Sequence, residues 1–342
     1  MDSYLIYLLT RLVVAFFRII PHPLGRRILN VFASLAFCFD SRHRHIARAN
    51  LTIAFPNLSP IERDRIARKS FQNTAQNLLA LAKLSFLTRD NIASLVQYDP
   101  ECGLNNFEAA QAKGKPILYL TGHFSAWELL PAAHALYGHP LSFITRPLDF
   151  GPLEEYLLRI RQSCGNVVIS KKNAVRQILE ILKRGDSVGI LADHNTITLE
   201  GAFVDLFGLP APTTTGLALL ALRTGATVLP GYLTPMRQGR YWIRFLPPLE
   251  LVRTGEKNRD ILENTKIFNQ VIEAIVREQP ESWLWGHKRW KYQPAGNPQD
   301  LYSLPLDELQ RFIDAKRLEQ AGVREDPGAT EPAPQPIEKN PR

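Results

Sequence analysis

The sequence predicts an α/β fold with a mostly parallel central sheet flanked by helices, preceded by an N-terminal helical segment that associates with a membrane. Three observations predict it. From Ile117 onward, short apolar runs of strand length alternate with helix-like stretches, the pattern of a buried parallel sheet. The chain has 342 residues, 45% of them hydrophobic and 22% charged, enough to bury a full core without reading as a polytopic membrane protein. Residues 1–50 carry two apolar stretches bordered by arginines. The division that follows is a membrane-associating segment over 1–50, an α/β domain over 51–324 and a tail over 325–342.

The run from Tyr4 to Ile20 is broken by Arg11 and Arg18, which lie on nearly the same helical face. An arginine at a bilayer centre costs about 2.5–3.5 kcal/mol on insertion scales, so a helix lying in the interface is expected and a spanning one is not. No basic stretch precedes it and no small-residue cleavage site follows, so it is expected to stay attached. Arg26, Arg27, Arg42, Arg44 and Arg48 flank the second stretch, Ile28 to Phe39, and pair apolar with cationic signals as an anionic membrane surface requires. The competing reading is a buried helix pair capping the domain.

Ser59-Pro60-Ile61-Glu62 is a capping box and predicts a helix to about Leu84. Ile61, Ile66, Phe71, Leu78 and Leu81 form its apolar stripe, and Arg63, Arg65, Arg68 and Lys69 its solvated face. Strands are expected over Ile117–Leu120, Leu141–Ile144, Val167–Ile169, Val188–Leu191 and Thr227–Leu233, with helices over Asn173–Lys183 and Thr214–Arg223 among them. Tyr241–Leu246 reads as an edge strand, and a helix over Asn258–Arg277 closes the fold. Beyond about Arg324 the chain is rich in Pro, Glu and Ala, a composition that predicts disorder.

A formal charge of +8 suits nucleic acid, anionic lipid or an acidic partner. No helix-turn-helix, RNA-recognition or zinc-finger pattern accompanies it, so nucleic acid is not expected. Cys38, Cys102 and Cys164 are far apart, His43 and His45 sit in an arginine-rich segment, and no HExxH occurs, so no metal is expected. Ser125 lacks a GxSxG setting, and Cys164 lacks the signature of an activated thiol. No other cofactor is indicated.

Thr121-Gly122-His123-Phe124-Ser125-Ala126-Trp127-Glu128 follows the first core strand and places His123 at the sheet's carboxyl edge, where open α/β folds keep their sites. Residues five apart on a helix lie about 140° apart around its axis, so His123 belongs to the turn and Glu128 to the helix that follows. There the carboxylate can accept the imidazole N–H and raise the basicity of the other ring nitrogen. A base with no nucleophile beside it suits direct attack by a substrate hydroxyl on an activated acyl carbonyl.

His123-xxxx-Glu128 resembles the HxxxxD/E motif of the glycerolipid and lysophospholipid acyltransferase superfamily, and the chain is most similar to its bacterial lipid A late acyltransferases. Asn50-Leu51-Thr52-Ile53-Ala54-Phe55-Pro56, Arg146-Pro147-Leu148-Asp149, Leu191-Ala192-Asp193 with Gly201-Ala202-Phe203-Val204 and Phe207-Gly208, and Trp285 to Lys291 resemble further blocks in the same order. The likeness covers about residues 5–295. His194 and Asn195 depart from it, where the family usually has Gln and a second Asp. The resemblance implies a glycerolipid acyltransferase-like fold and catalysis by His123 and Glu128. It implies substrate contacts from Arg146, Asp193, Gly201, Phe203 and Arg289, with Arg146 on a phosphate or polar headgroup. Phe203, Val204 and Phe207 read either as an acyl channel or as plain core. Arg289 and Lys291, interleaved with Trp285 and Trp290, suit phosphates or an interfacial belt. The implied donor is acyl carrier protein, with acyl-CoA chemically equivalent at the thioester. The implied acceptor is a membrane-borne lipid A precursor at the cytoplasmic face of the inner membrane, with a lysophospholipid or other glycolipid as the alternative.

Overall fold

The computed structural model describes residues 3–171, 174–196, 201–298 and 300–320. The chain begins with helices α1 (Ser3–Ile19), α2 (His22–Phe39), α3 (Ser41–Ala54) and α4 (Pro60–Leu84). In α2 the buried residues Gly25, Leu29, Ala33 and Phe37 recur every fourth position, the spacing of a single helical stripe. That stripe faces α4, and a Cβ at Gly25 would lie 2.9 Å from Leu79 Cδ1. The expected capping box starts α4: Ser59 Oγ accepts from Glu62 N at 3.3 Å, and Ser59 N donates to Glu62 Oε2 at 2.8 Å.

Arg18 of α1 donates to Ser85 Oγ, and Arg11 to Tyr7 Oη at 3.4 Å, the latter also lying over the Tyr156 ring. Only Val14 and Phe17 of α1 are buried. Tyr4, Leu5, Ile6, Leu8, Leu9, Leu12, Val13, Phe16 and Ile19 remain exposed, as do Leu24, Val31, Phe32, Leu35 and Phe39 of α2. Both helices pack on α4, and together they expose more apolar side chains than scattered surface leucines would. Among the described residues, no helix is long and apolar enough to cross a membrane.

Among the described residues, nine strands follow in two sheets: β1 (Val96–Tyr98), β2 (Ile117–Thr121), β3 (Ser142–Thr145), β4 (Val167–Ser170), β5 (Val188–Leu191), β6 (Gly201–Leu206), β7 (Leu209–Thr214), β8 (Thr227–Pro235) and β9 (Tyr241–Phe245). Seven form the central sheet in the order β1-β9-β8-β2-β5-β3-β4, parallel except where β9 meets β8. Around it lie α5 (Leu104–Gln111), α6 (Leu129–Leu136), α7 (Gly151–Gln162), α8 (Ala174–Lys183), α9 (Gly216–Thr224), α10 (Lys257–Glu278) and α11 (Leu306–Gln320). Strand alternation divides the core: Leu118 and Leu120 face one apolar cluster, Ile117 and Tyr119 the other.

Several sequence expectations change. Ile61, placed on the apolar stripe of α4, is 82% exposed, and Arg63, placed on its solvated face, is half-buried and donates to Thr52 Oγ1 at 2.6 Å. Tyr241–Leu246 is not an edge strand, because the three-residue β1 pairs parallel with β9 outside it. The fold does not close after Arg277, since α11 packs on α3 and buries Leu309 and Ile313. Segment 201–214, read as a motif, is a hairpin whose Phe207 (φ 58°) and Gly208 (φ 81°) supply the two positive angles of a tight turn. Phe207 sustains that unusual angle through burial against Phe55, Trp285 and Trp290. The 325–342 tail lies outside the described residues.

Candidate active site

Strands β2 and β5 are parallel neighbours, with Thr121 paired to Leu191. Two residues further along each, His123 and Asp193 meet at the sheet's carboxyl edge. Asp193 Oδ1 lies 2.8 Å from His123 Nδ1, while its Oδ2 accepts from His123 N at 2.7 Å and from Trp283 Nε1 at 2.8 Å. The carboxylate is buried, and the imidazole side chain is 12% exposed. No described residue bonds the remaining ring nitrogen, Nε2. Burial alone would raise the Asp193 pKa, but the charge and hydrogen bonds of His123 outweigh it and hold the carboxyl well below its usual range. Gly122 is required by this close approach: a Cβ there would lie 2.8 Å from Phe124 Cε2 and 2.9 Å from Asp193 Oδ2.

The carboxylate expected on the imidazole, that of Glu128, lies elsewhere. Its Oε1 and Oε2 accept from Arg161 Nη2 at 2.7 Å and Nε at 3.1 Å, tying the start of α6 to α7. Helix α6 begins only at Leu129, so the five-residue spacing spans a turn. Ser125 bends that turn at a positive φ of 52°. Asn77 of α4 clamps the bend from both sides, donating to Ser125 O at 2.7 Å and accepting from Glu128 N at 3.2 Å. Sequence reasoning missed Asn77 and Trp283, since neither stands in a motif with His123.

Stacked rings extend the site. His123 lies parallel to His194 at 3.9 Å, and His194 stacks on His287 at 4.2 Å. Desolvation and then the neighbouring His123 bring His194 to about 3, and desolvation brings His287 to about 4, so both are neutral at physiological pH. His287 Nε2 accepts from Asn195 N at 3.3 Å, and Asn195 Nδ2 donates to Lys288 O at 2.6 Å. The two positions that depart from the usual family pattern thus bind the closing block. His123, Asp193 and His194 offer ligand atoms within 4.8 Å of one another, but a cation among them would have to displace the proton shared by His123 and Asp193.

The remaining expected site residues fall into two groups. Arg146 is exposed just past β3, on the same carboxyl edge, and no described residue bonds its side chain. Gly201 and half-buried Phe203 are paired in the β6–β7 hairpin, where a Cβ at Gly201 would lie 2.4 Å from Thr213 O. Arg289 is buried and donates to Pro212 O at 2.6 Å and Thr213 Oγ1 at 2.7 Å, so it holds the hairpin instead of meeting phosphates at a surface. Trp285 and Trp290 are likewise in the core, not in an interfacial belt. Asn50 secures the closing block by donating to Trp285 O and His287 O, each at 2.7 Å.

Comparison with known proteins decides the family. The family model for bacterial lipid A biosynthesis acyltransferases matches residues 1–292. The chain belongs to that family. This lipid A biosynthesis acyltransferase family member is 28% identical over 282 residues to the lipid A biosynthesis lauroyltransferase of Escherichia coli, covering 82% of this chain and 89% of that one. It is 27% identical to the E. coli palmitoleoyltransferase, covering 81% and 88%, and 23% identical to the E. coli myristoyltransferase, covering 78% and 81%. As a family member it is an acyltransferase.

Proposed function

We propose that this acyltransferase moves a fatty acyl group from an acyl carrier protein thioester to a hydroxyl of a lipid A precursor, with His123 as general base. One observation carries the reading: Asp193 engages the Nδ1 side of His123, and no described residue bonds Nε2, at a sheet edge suited to ligands. With the Nδ1 proton donated to Asp193, Nε2 presents a lone pair to the acceptor hydroxyl. As the hydroxyl proton passes to Nε2, its oxygen attacks the thioester carbonyl and forms a tetrahedral oxyanion. Collapse expels the thiolate, which takes the proton back from the imidazolium, and no acyl group resides on the enzyme. The buried Asp193 carboxylate stabilises the transient imidazolium.

Glu128 acts in this scheme as a positioning residue, holding the His123 turn through Arg161. Arg146, exposed at the same edge, contacts a polar headgroup of the substrate. The apolar face of α1 and α2 rests in the interface of the inner membrane on its cytoplasmic side, and the α/β unit presents its site to lipid held there. Support for the acceptor comes from the lauroyl-, palmitoleoyl- and myristoyltransferase relatives, all named for lipid A biosynthesis. Purified protein is assayed for label transfer from acyl carrier protein to a lipid A precursor and to lysophospholipids. Product on the lipid A precursor, lost in His123→Ala, is expected. Product on a lysophospholipid alone would change the acceptor, and transfer that survives His123→Ala would remove the base.

A further inference from the structure

A recess of about 770 Å³, sharing no lining residue with the His123 site, lies between the start of α2, the end of α4 and the turn before β9. Arg26, Arg27, Lys83 and Arg240 line it, and none of its lining residues is an aspartate or glutamate. Other arginines of the described residues either pair with carboxylates, as in Arg48–Asp64, Arg161–Glu128 and Arg244–Asp99, or, like Arg289, donate to carbonyl and hydroxyl oxygens. Here Arg26, Arg27 and Arg240 have no ion pair among the described residues, and Arg240 Nε is buried without any hydrogen-bond partner. Arg26 and Arg240 also line an adjoining recess that holds Glu278 and Glu281, but neither pairs with them; like charges gathered in one cavity repel, and a buried cationic N–H without an acceptor is costly, so an anion would complete the arrangement.

The recess is also built in place. Lys83 Nζ is held by Arg18 O at 3.0 Å and Ile20 O at 2.6 Å, the carbonyls that end α1. Gly239, at φ 80°, lets the turn close on Arg26: a Cβ there would lie 2.9 Å from Arg26 Nη1. Three arginine forks converging on one cavity match the oxygens of a phosphate better than a point charge would. Exposed apolar side chains stand near it: Phe86, a lining residue, is 54% exposed, Leu24, next in sequence to the lining Pro23, is 47% exposed, and Ile19, at the end of α1, is 85% exposed. The cationic cavity therefore sits at the end of the exposed apolar face of α1 and α2, where a lipid's phosphate and its chains would part.

We propose that this recess binds the phosphate of an anionic lipid headgroup through Arg26, Arg27 and Arg240, with the lipid's chains along the apolar faces of α1 and α2. The proposal adds a second lipid site to the acyl-transfer centre. It rests on the interfacial reading of α1 and α2 but not on the chemistry at His123.

The full chain is tested by flotation with phosphatidylcholine vesicles containing phosphatidic acid, and with vesicles brought to the same surface charge by oleate. The oleate vesicles report interfacial binding alone, and the preference for phosphatidic acid reports the recess. The wild type is expected to prefer phosphatidic acid. Arg26→Gln/Arg240→Gln is expected to lose about 30-fold of that binding, at about fivefold per cation. Lys257→Gln/Arg259→Gln, exposed at the start of α10, removes the same charge outside the recess and is expected to change nothing. Arg27 is exposed and bonded to no described residue, so the expected fivefold loss in Arg27→Gln cannot come from misfolding. Equal binding to the two vesicle types, or a preference that survives in the Arg26/Arg240 variant, would overturn the proposal. So would inorganic phosphate raising the melting temperature of the wild type but not of that variant while vesicles show no preference, since the ligand would then be a soluble phosphate.

Discussion

Asn in place of Asp193 keeps the shape of the side chain but changes what His123 can do. Asp193 Oδ2 accepts two fixed donors, His123 N at 2.7 Å and Trp283 Nε1 at 2.8 Å, so in Asp193→Asn the amide oxygen must take that position. The amide NH2 then faces His123 Nδ1 across the remaining 2.8 Å. Two donors cannot share that contact, so Nδ1 becomes the acceptor and the imidazole proton moves to Nε2. The nitrogen facing the acceptor hydroxyl then carries a proton and cannot take another. The negative charge that would stabilise the imidazolium is lost as well. In serine-protease triads the equivalent exchange lowers kcat by about four orders of magnitude through the wrong tautomer, and a loss of about 10³–10⁴ in kcat is expected here. KM should change little, because Asp193 is buried behind the imidazole. The assay is initial-rate acyl transfer to a lipid A precursor, with circular dichroism to verify folding. A folded Asp193→Asn enzyme within tenfold of wild-type kcat would refute the assignment of Asp193 as the orienting carboxylate.

Glu128→Gln and Arg161→Gln should lower kcat to similar extents and less than His123→Ala does, because each breaks the same ion pair at the edge of the turn. If Glu128→Gln alone matched His123→Ala, Glu128 would be acting directly on the imidazole or substrate. Arg289→Met is expected to cost about 3 kcal/mol of stability, since Pro212 O and Thr213 Oγ1 lose a buried charged donor; a melting temperature unchanged from wild type would contradict this. His134 is buried between the hydroxyls of Tyr98 and Tyr119, each 2.7 Å away. Desolvation and then His139 lower its pKa from 6.5 to about 3. Because the unfolded chain takes up a proton between about pH 6.5 and 3 and the folded chain does not, stability falls as the pH is lowered through that window, by up to about 1.4 kcal/mol per pH unit from this residue. Urea melts at several pH values should show a slope that is shallower by that amount in His134→Phe, and an identical slope in both chains would remove His134 as its source.

Much of this was legible because it depends on neighbours in the chain. The capping box at Ser59, the apolar runs of β2 and β5 and the long helix α10 are local patterns, and each lies within a residue or so of where periodicity places it. Strand β1 escaped because three residues carry no period. The β6–β7 hairpin escaped because Pro210 and Pro212 argue against a strand, yet each is accommodated in a two-stranded sheet.

The site divides along the same line. His123 was legible as the residue that follows a buried strand, and so was Asp193, at the end of another. Which carboxylate reaches the imidazole was not, because that depends on β2 and β5 being sheet neighbours in register although 70 residues of chain separate His123 from Asp193. Likewise, Arg289 sits in a basic, aromatic stretch that reads as surface, and only the packing of the hairpin over it makes it a buried strut. The sequence by itself determined the strands, the helices and the kinds of side chain at the sheet's edge, since these follow from local periodicity and propensity. The tertiary structure alone decided the partners, since a hydrogen bond or ion pair is made across space by groups that strand order and helix packing bring together.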